Sequence, residues 1–254
     1  MVSIIIITFG KWEMTERCLN ALFNAPIKPE FEVIVVDNGS KDSTIEELKK
    51  YKGIKFIENK PGSHFANGCN VGVKHSNGNH ILFLNNDTII ENDFITPMLK
   101  CFKEQKVGIV GARCLYPDGT IQHCGVGFKR SFSPRHVYKR WNGTHPHVMF
   151  PRYYKSVTAA CMLVRRSVFN LLAGFDEKFK TGKEDVDFCL RAGKKGILIR
   201  YEPKACIIHL EHQSPGRHKY DRRNTKIFKK RWKGKIKPDI KDIKLLKNVI
   251  RKKK

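Results

Sequence analysis

The chain has 254 residues, 41% hydrophobic and 29% charged, and 49 Lys and Arg against 24 Asp and Glu give it a formal net charge of +25. That length suits one large α/β domain or two small ones, and the apolar content fills a core, which excludes a disordered chain. Eight scattered cysteines without a Cys-x-x-Cys pair exclude a disulfide scaffold and point to reduced, mostly buried thiols in a cytoplasmic protein.

The predicted elements alternate from the start. Val2–Thr8 reads as a buried strand, and Trp12–Asn24 as a helix with Met14, Cys18, Leu19 and Leu22 on one face. Residues 31–36 form a second strand ending on Asp37-Asn-Gly-Ser, before a helix over 43–51, a short strand over 54–58 and a helix over 63–75. Residues 81–84 are four apolar residues in a row, as in a strand covered on both faces, and they stop on Asn85-Asn-Asp87 before a helix from about Asn92. A strand over 107–112 follows. This β-α-β-α-β order predicts a Rossmann-like, mostly parallel sheet between two helical layers, with right-handed crossovers.

After Ala112 the rhythm breaks. Residues 125–152, rich in Gly, Pro, His and aromatics, read as an irregular and mobile loop region. The pattern then resumes with a strand over 157–165 containing Thr158-Ala-Ala-Cys161, a helical turn over 167–172, a helix over 182–191 and separate late strands over 197–201 and 205–209. From Arg217 onward, 18 Lys and Arg and three Asp place +15 of the net charge in the last 38 residues. Weakly spaced Ile236, Ile240, Ile243, Leu245, Leu246, Val249 and Ile250 predict a partly helical basic tail that docks on an acidic membrane or lies solvated. The opening Met-Val-Ser-Ile-Ile-Ile-Ile-Thr lacks a basic leader, and its apolar run is too short for a signal peptide or a span. The expected organisation is a domain over 1–216, with halves at about 1–112 and 113–216, and a tail over 217–254.

Chemistry enters at the strand ends. Asn85, Asn86 and Asp87 fall at the carboxyl end of a central strand, where open α/β sheets bind ligands, and one carboxylate among amides suits Mg²⁺ or Mn²⁺ completed by substrate phosphate. The same residues would also serve as a turn and helix cap. Asp37 ends the second strand, where an acidic residue accepts hydrogen bonds from a ribose or base, or else closes its own turn. Neither Gly-x-Gly-x-x-Gly nor Gly-x-x-x-x-Gly-Lys-Ser/Thr occurs, so a bound diphosphate needs another source of positive charge. Glu184, Asp185 and Asp187 open a helix; its dipole keeps Asp185 ionised and able to accept a proton, while all three are equally suited to capping. His209 and His212 stand at a strand end, as metal ligands or as hydrogen-bonded core residues.

Eight blocks carry a resemblance. In order they are Ser3-Ile-Ile-Ile-Ile-Thr-Phe-Gly10, Val33-Ile-Val-Val-Asp-Asn-Gly-Ser40, Phe65-Ala-Asn-Gly-Cys-Asn-Val-Gly72, Leu82-Phe-Leu-Asn-Asn-Asp-Thr88, Leu115-Tyr-Pro-Asp-Gly-Thr-Ile-Gln122, Gly174-Phe-Asp-Glu177, Glu184-Asp-Val-Asp187 and Tyr201-Glu-Pro-Lys-Ala205. Over residues 2 to 216 the chain resembles the family 2 glycosyltransferases, in the branch of the bacterial rhamnosyltransferases.

The resemblance implies a GT-A fold and an inverting transfer from a nucleoside-diphosphate sugar, UDP- or dTDP-linked, to a glycan or lipid-linked acceptor. It implies Mn²⁺ or Mg²⁺ on Asp87 with His209, and Asp185 as general base. The nucleotide would contact Thr8, Phe9, Gly10, Asp37, Asn67, Asn70 and Asn86, and the acceptor or sugar region would include Glu184, Asp187 and Cys161. Gly10, His64 and Asn85 depart from the family's usual Asn, Gly and first motif Asp. A domain that binds the nucleotide sugar without turnover is the alternative. The charge alone would also fit nucleic acid, but the chain shows neither the aromatic platforms of a single-strand binder nor a zinc finger's ligand spacing.

Overall fold

The computed structural model describes residues 1–211 and 217–240. Twelve strands occur in it: β1 (Val2–Thr8), β2 (Phe31–Asp37), β3 (Lys55–Glu58), β4 (His80–Asn85), β5 (Thr88–Ile89), β6 (Val107–Leu115), β7 (Ile121–His123), β8 (Val126–Phe128), β9 (Pro134–His136), β10 (Arg152–Tyr154), β11 (Cys161–Arg165) and β12 (Leu198–His209). The helices are α1 (Trp12–Asn24), α2 (Thr44–Lys50), α3 (Phe65–Lys74), α4 (Ile95–Cys101), α5 (Arg166–Leu171), α6 (Glu184–Lys194) and α7 (Asp221–Trp232).

The main sheet runs β10-β12-β6-β11-β4-β1-β2-β3. Strands β3, β2, β1 and β4 are mutually parallel, β12 is parallel to β6, and only β11 and β10 on this path run the other way. The expected sandwich of helices around a mostly parallel sheet is present. Ile4 and Ile6 of β1 and Leu82 and Leu84 of β4 face a core closed by Cys18, Leu19 and Leu22 of α1 and by Ile95 and Met98 of α4. Their neighbours Ile5, Ile81 and Phe83 face the opposite core, under Cys69 and Val73 of α3 and Phe188 and Cys189 of α6. Both faces of each strand are therefore buried, which is why their sequences are continuous apolar runs rather than alternating ones. Helix α3 lies so close to the sheet that a Cβ on Gly72 would come within 2.5 Å of Ile5 Cγ2, so only glycine fits there.

Three expectations are corrected. Residues 125–152 are not wholly irregular: β8 and β9 pair with each other, and β10 joins the main sheet. Tyr138 packs edge-on against Trp141 at 4.8 Å, and the Tyr201 hydroxyl donates to Val148 O at 2.7 Å. Strands of three residues are too short to show a period, and the segment's buried residues, Val126, Phe128, Val137, Tyr138 and Val148, are irregularly spaced. The two late strands are one, β12, whose register against β6 shifts between Glu202 and Cys206, next to Pro203, which has no N–H to give the ladder. The strand expected over 157–165 begins only at Cys161, and residues 158–160 instead form part of the cleft floor.

The segment after Arg217 does not hang free over its described part. Phe228 and Trp232 of α7, followed by Ile236, are buried against Val126, Phe128, Phe179, Val186 and Leu190. Asp239 then accepts from the Phe128 amide at 2.6 Å. The apolar positions from Ile243 to Ile250, and His212, lie outside the described residues. All eight cysteines are unpaired, and all but Cys206 are buried. Among the described residues no helix is long and apolar enough to cross a membrane.

Candidate active site

A cleft of about 510 Å³ opens at the carboxyl ends of β1, β2 and β4. The central apolar strands end together there, and the turns that follow supply its polar wall. Thr8, Phe9, His64, Asn85, Asn86, Asp87, Glu184 and Asp185 all line it, so eight of the residues singled out from the sequence converge.

Asp87 is 7% exposed, and its Oδ1 lies 2.9 Å from Nε2 of His209, which is 3% exposed. The strand pair β5–β12 makes this contact, with Thr88 opposite His209 and the Leu210 amide on Asp87 O at 3.0 Å. Asn85 Nδ2 lies 3.2 Å from the same imidazole nitrogen. Asn86 donates to Thr15 Oγ1 at 2.9 Å and to Thr8 Oγ1 at 3.3 Å, tying the strand end to α1. No group of three or more His, Cys, Asp and Glu able to hold an ion by itself occurs among the described residues. One carboxylate oxygen beside one imidazole nitrogen, in a wall that also carries amides, fits a divalent ion that takes its remaining ligands from water and phosphate.

Across the cleft, Asp185 sits at the start of α6. Its Oδ2 accepts from the Ala159 amide at 3.2 Å and its Oδ1 from the Val186 amide at 2.7 Å. Two backbone donors and the helix dipole favour the ionised carboxylate. Glu184 is 6% exposed, and its Oε2 accepts from the Gly182 amide at 2.5 Å.

The remaining sequence candidates sit elsewhere. Asp37 is fully buried; Oδ2 accepts from the Gly39 and Ser40 amides at 2.8 Å, and Oδ1 from the Ser40 hydroxyl. It closes its own turn, and the residue it presents to the cleft is Asn38. Gly10, at φ +68, donates to Ser40 Oγ at 2.5 Å and so braces that turn. Asn70 clasps both the amide and the carbonyl of Phe175, at 3.0 and 2.9 Å, and with Asn67 donates to Glu177. These two amides fasten α3 to the 174–177 turn instead of facing a nucleotide. Cys161 is a fully buried core residue whose thiol is pushed far up by burial. Asp187 is also fully buried, and accepts from Arg191 Nε, Arg231 Nη1 and Trp232 Nε1 at 2.8, 2.9 and 2.8 Å. It anchors α7 to α6, three residues along the helix from Glu184 and facing away from the cleft.

Sequence reasoning missed Asn38, Lys11, Lys219 and Tyr220 as site residues, and all four line the cleft. The His64 and Tyr220 rings meet edge-on at 4.9 Å, and Lys180 Nζ lies 5.3 Å from the Tyr220 ring centre. Partial burial, then the charges of Lys180, Arg223 and Lys219, hold His64 below the usual histidine range. Lys11 and Lys219 bring positive charge to a site whose sequence has no glycine-rich phosphate loop. Asn38 and Lys11 adjoin blocks that were recognised, whereas nothing in the sequence brings His64 beside Tyr220.

Known proteins bear on this arrangement in sequence and in shape. The chain is 30% identical over 223 residues to the O-antigen biosynthesis protein RfbC of Myxococcus xanthus, covering 84% of this chain and 17% of that protein. It is 27% identical over 239 residues to rhamnosyltransferase WbbL of Escherichia coli, covering 84% of each. The chain spans less than a third of the first two curated relatives it matches, 17% of RfbC and 28% of an uncharacterized protein of Sinorhizobium fredii. Among solved structures, GalNAc-T7 with UDP, GalNAc and Mn²⁺ superposes with a TM-score of 0.69 over 85% of this chain and 45% of that one, at 13% identity. That likeness speaks to the fold alone, which is the GT-A arrangement of glycosyltransferases. The profile of Glycosyl transferase family 2 matches residues 3–172, from β1 through α5, and the chain belongs to that family.

Proposed function

We propose that the enzyme transfers a sugar, with inversion, from a UDP- or dTDP-linked donor to a hydroxyl of a glycan or lipid-linked glycan. The observation that carries this reading is the placement of two carboxylates, Asp87 beside His209 and Asp185 on α6, on the walls of one cleft. The relatives' printed names, an O-antigen biosynthesis protein and a rhamnosyltransferase, support a glycan acceptor and a deoxyhexose donor.

In this reading Asn38 and Thr8 face the nucleoside, and Lys11 and Lys219 lie where the diphosphate's charge would fall. Asp87 and His209 would hold Mn²⁺ or Mg²⁺, which when bound neutralises charge on the departing diphosphate. Asp185 takes the proton of the acceptor hydroxyl as its oxygen attacks the anomeric carbon. The new C–O bond forms on the face opposite the bond to the diphosphate, which breaks and leaves with its electron pair. A single carboxylate suffices, because the diphosphate needs charge neutralisation rather than a proton. We place the enzyme in the cytoplasm, held at the inner face of a membrane by its basic C-terminal segment.

A thermal-shift panel of nucleoside diphosphates, with and without Mn²⁺, tests the reading. Ligand at a hundred times its dissociation constant adds about 2.7 kcal/mol of stability. UDP or dTDP should raise the melting temperature more with Mn²⁺ than without, and silence across the panel would sink the proposal.

A further inference from the structure

The loop that leads into α6 is held in an unusual conformation. Thr181, Gly182 and Lys183 have φ of +46, +114 and +75, three consecutive residues in the left-handed region, of which only one is glycine. L side chains rarely adopt that backbone, and such stretches persist only where their surroundings over-determine them. Thr181 and Gly182 line the cleft, and Glu184 and Asp185 follow directly.

Glu184 holds the Gly182 amide from within the segment, and a second side chain holds the loop from another part of the chain. Asn224 of α7 is fully buried, and its Nδ2 reaches the carbonyls of Lys180, Thr181 and Gly182 at 2.8, 3.3 and 2.9 Å. Its Oδ1 accepts from the Lys180 amide at 3.2 Å. The two N–H groups of one amide are thus shared among the carbonyls of three residues that no helix or sheet ladder serves. Helix α7 is itself pinned to α6 through Asp187, so clamp and loop are referred to the same helix. Residues 221–232 lie beyond the segment that the family profile matches.

We propose that Asn224 is a positioning residue for transfer: by clamping the 180–182 backbone it fixes where α6 begins and hence where the Asp185 carboxylate meets the acceptor. This rests on Asp185 being the base. Helix α7 is then part of the catalytic apparatus and more than a C-terminal appendage.

The test uses the full chain with Asn224→Ala, Asn224→Ser, Lys195→Ala and Asp185→Asn. Single-turnover transfer is measured beside UDP and dTDP affinity and the melting temperature. For Asn224→Ala we expect transfer at least tenfold slower, nucleotide affinity within about twofold of the parent, and faster amide exchange over residues 180–185. Lys195→Ala, exposed just past the end of α6, should match the parent. A purely structural role lowers transfer and nucleotide binding together, in proportion to the folded fraction, and that result overturns the proposal, as does unchanged transfer. Should the alanine variant fail to fold, Asn224→Ser retains one hydrogen-bonding group and is read by the same ratio. If Asp185→Asn transfers normally, it is the assignment of the base that fails; if Asp185→Asn is inactive and Asn224→Ala is normal, it is the clamp.

Discussion

His209 Nε2 lies 2.9 Å from Asp87 Oδ1, at the junction where the last strand of the sheet folds back over the end of its central strand. Both groups are buried and each needs a polar partner; Asn85 Nδ2, at 3.2 Å, shares the same imidazole nitrogen. Asp87→Ala should abolish the Mn²⁺-dependent part of UDP or dTDP affinity. His209→Ala should weaken it at least tenfold, about 1.4 kcal/mol. Titration calorimetry with and without Mn²⁺ reads both, and unchanged metal dependence in both variants would leave the pair as a structural contact.

Asp185→Asn keeps the shape of the side chain, and asparagine caps helices about as well as aspartate, so stability should change by less than about 1 kcal/mol. The proton acceptor is gone. A positioned general base is worth roughly 10²–10⁴ in rate, so transfer should slow at least about a hundredfold while donor affinity holds. Transfer within a few-fold of the parent would move the role to Glu184, which lines the same cleft.

The parts of the site that the sequence made legible share one property: they are local. Asp87 and Asp185 each stand at the boundary of an element whose own pattern is clear, the apolar run of β4 and the amphipathic run of α6, and the fold class dictates that such boundaries meet. The misassigned residues are decided by distant partners. Asn70 looks free on α3 until the Phe175 backbone arrives to saturate its amide. Cys161 lies near the cleft in sequence, but a strand fixes direction by parity, and its side chain falls into the core. The packing of α7, expected only as part of a basic helical tail, was hidden by its charge, because Phe228 and Trp232, four residues apart, are anchored with Ile227 and Ile236 in a strongly basic stretch.

Asp187 tests that distinction between site and scaffold. Its carboxylate is fully buried and takes three donors, from Arg191, Arg231 and Trp232. Asp187→Ala takes the acceptor from the Trp232 indole N–H and leaves Arg191 with two backbone carbonyls and Arg231 with Asp176, and breaking such a buried arrangement costs about 3–5 kcal/mol. For a chain of this length, that lowers the melting temperature by roughly 10 °C. Nucleotide affinity below the transition should be close to the parent's. A variant of unchanged stability with altered acceptor choice would restore Asp187 to the acceptor site.

The C-terminal charge has a defined geometry over its described part. Arg222, Lys226, Lys229, Lys230 and Lys233 are spaced so as to share one side of α7, and all five are exposed, while the opposite side buries Asn224, Phe228 and Trp232. Each cation near an acidic bilayer contributes about 1 kcal/mol, screened over a Debye length of about 8 Å at physiological salt. Truncation before α7 would strip Phe228, Trp232 and Ile236 from the core, so charge reversal is the cleaner probe. The full chain should sediment with vesicles containing acidic phospholipid at low salt, release as salt rises, and ignore vesicles of neutral phosphatidylcholine. Reversing Lys226, Lys229 and Lys230 to Glu should weaken that binding by about a hundredfold or more, since three favourable terms of about 1 kcal/mol are lost and three repulsions gained. Binding that is indifferent to salt, or equally strong in the reversed variant, would show that this face of α7 does not dock on the membrane.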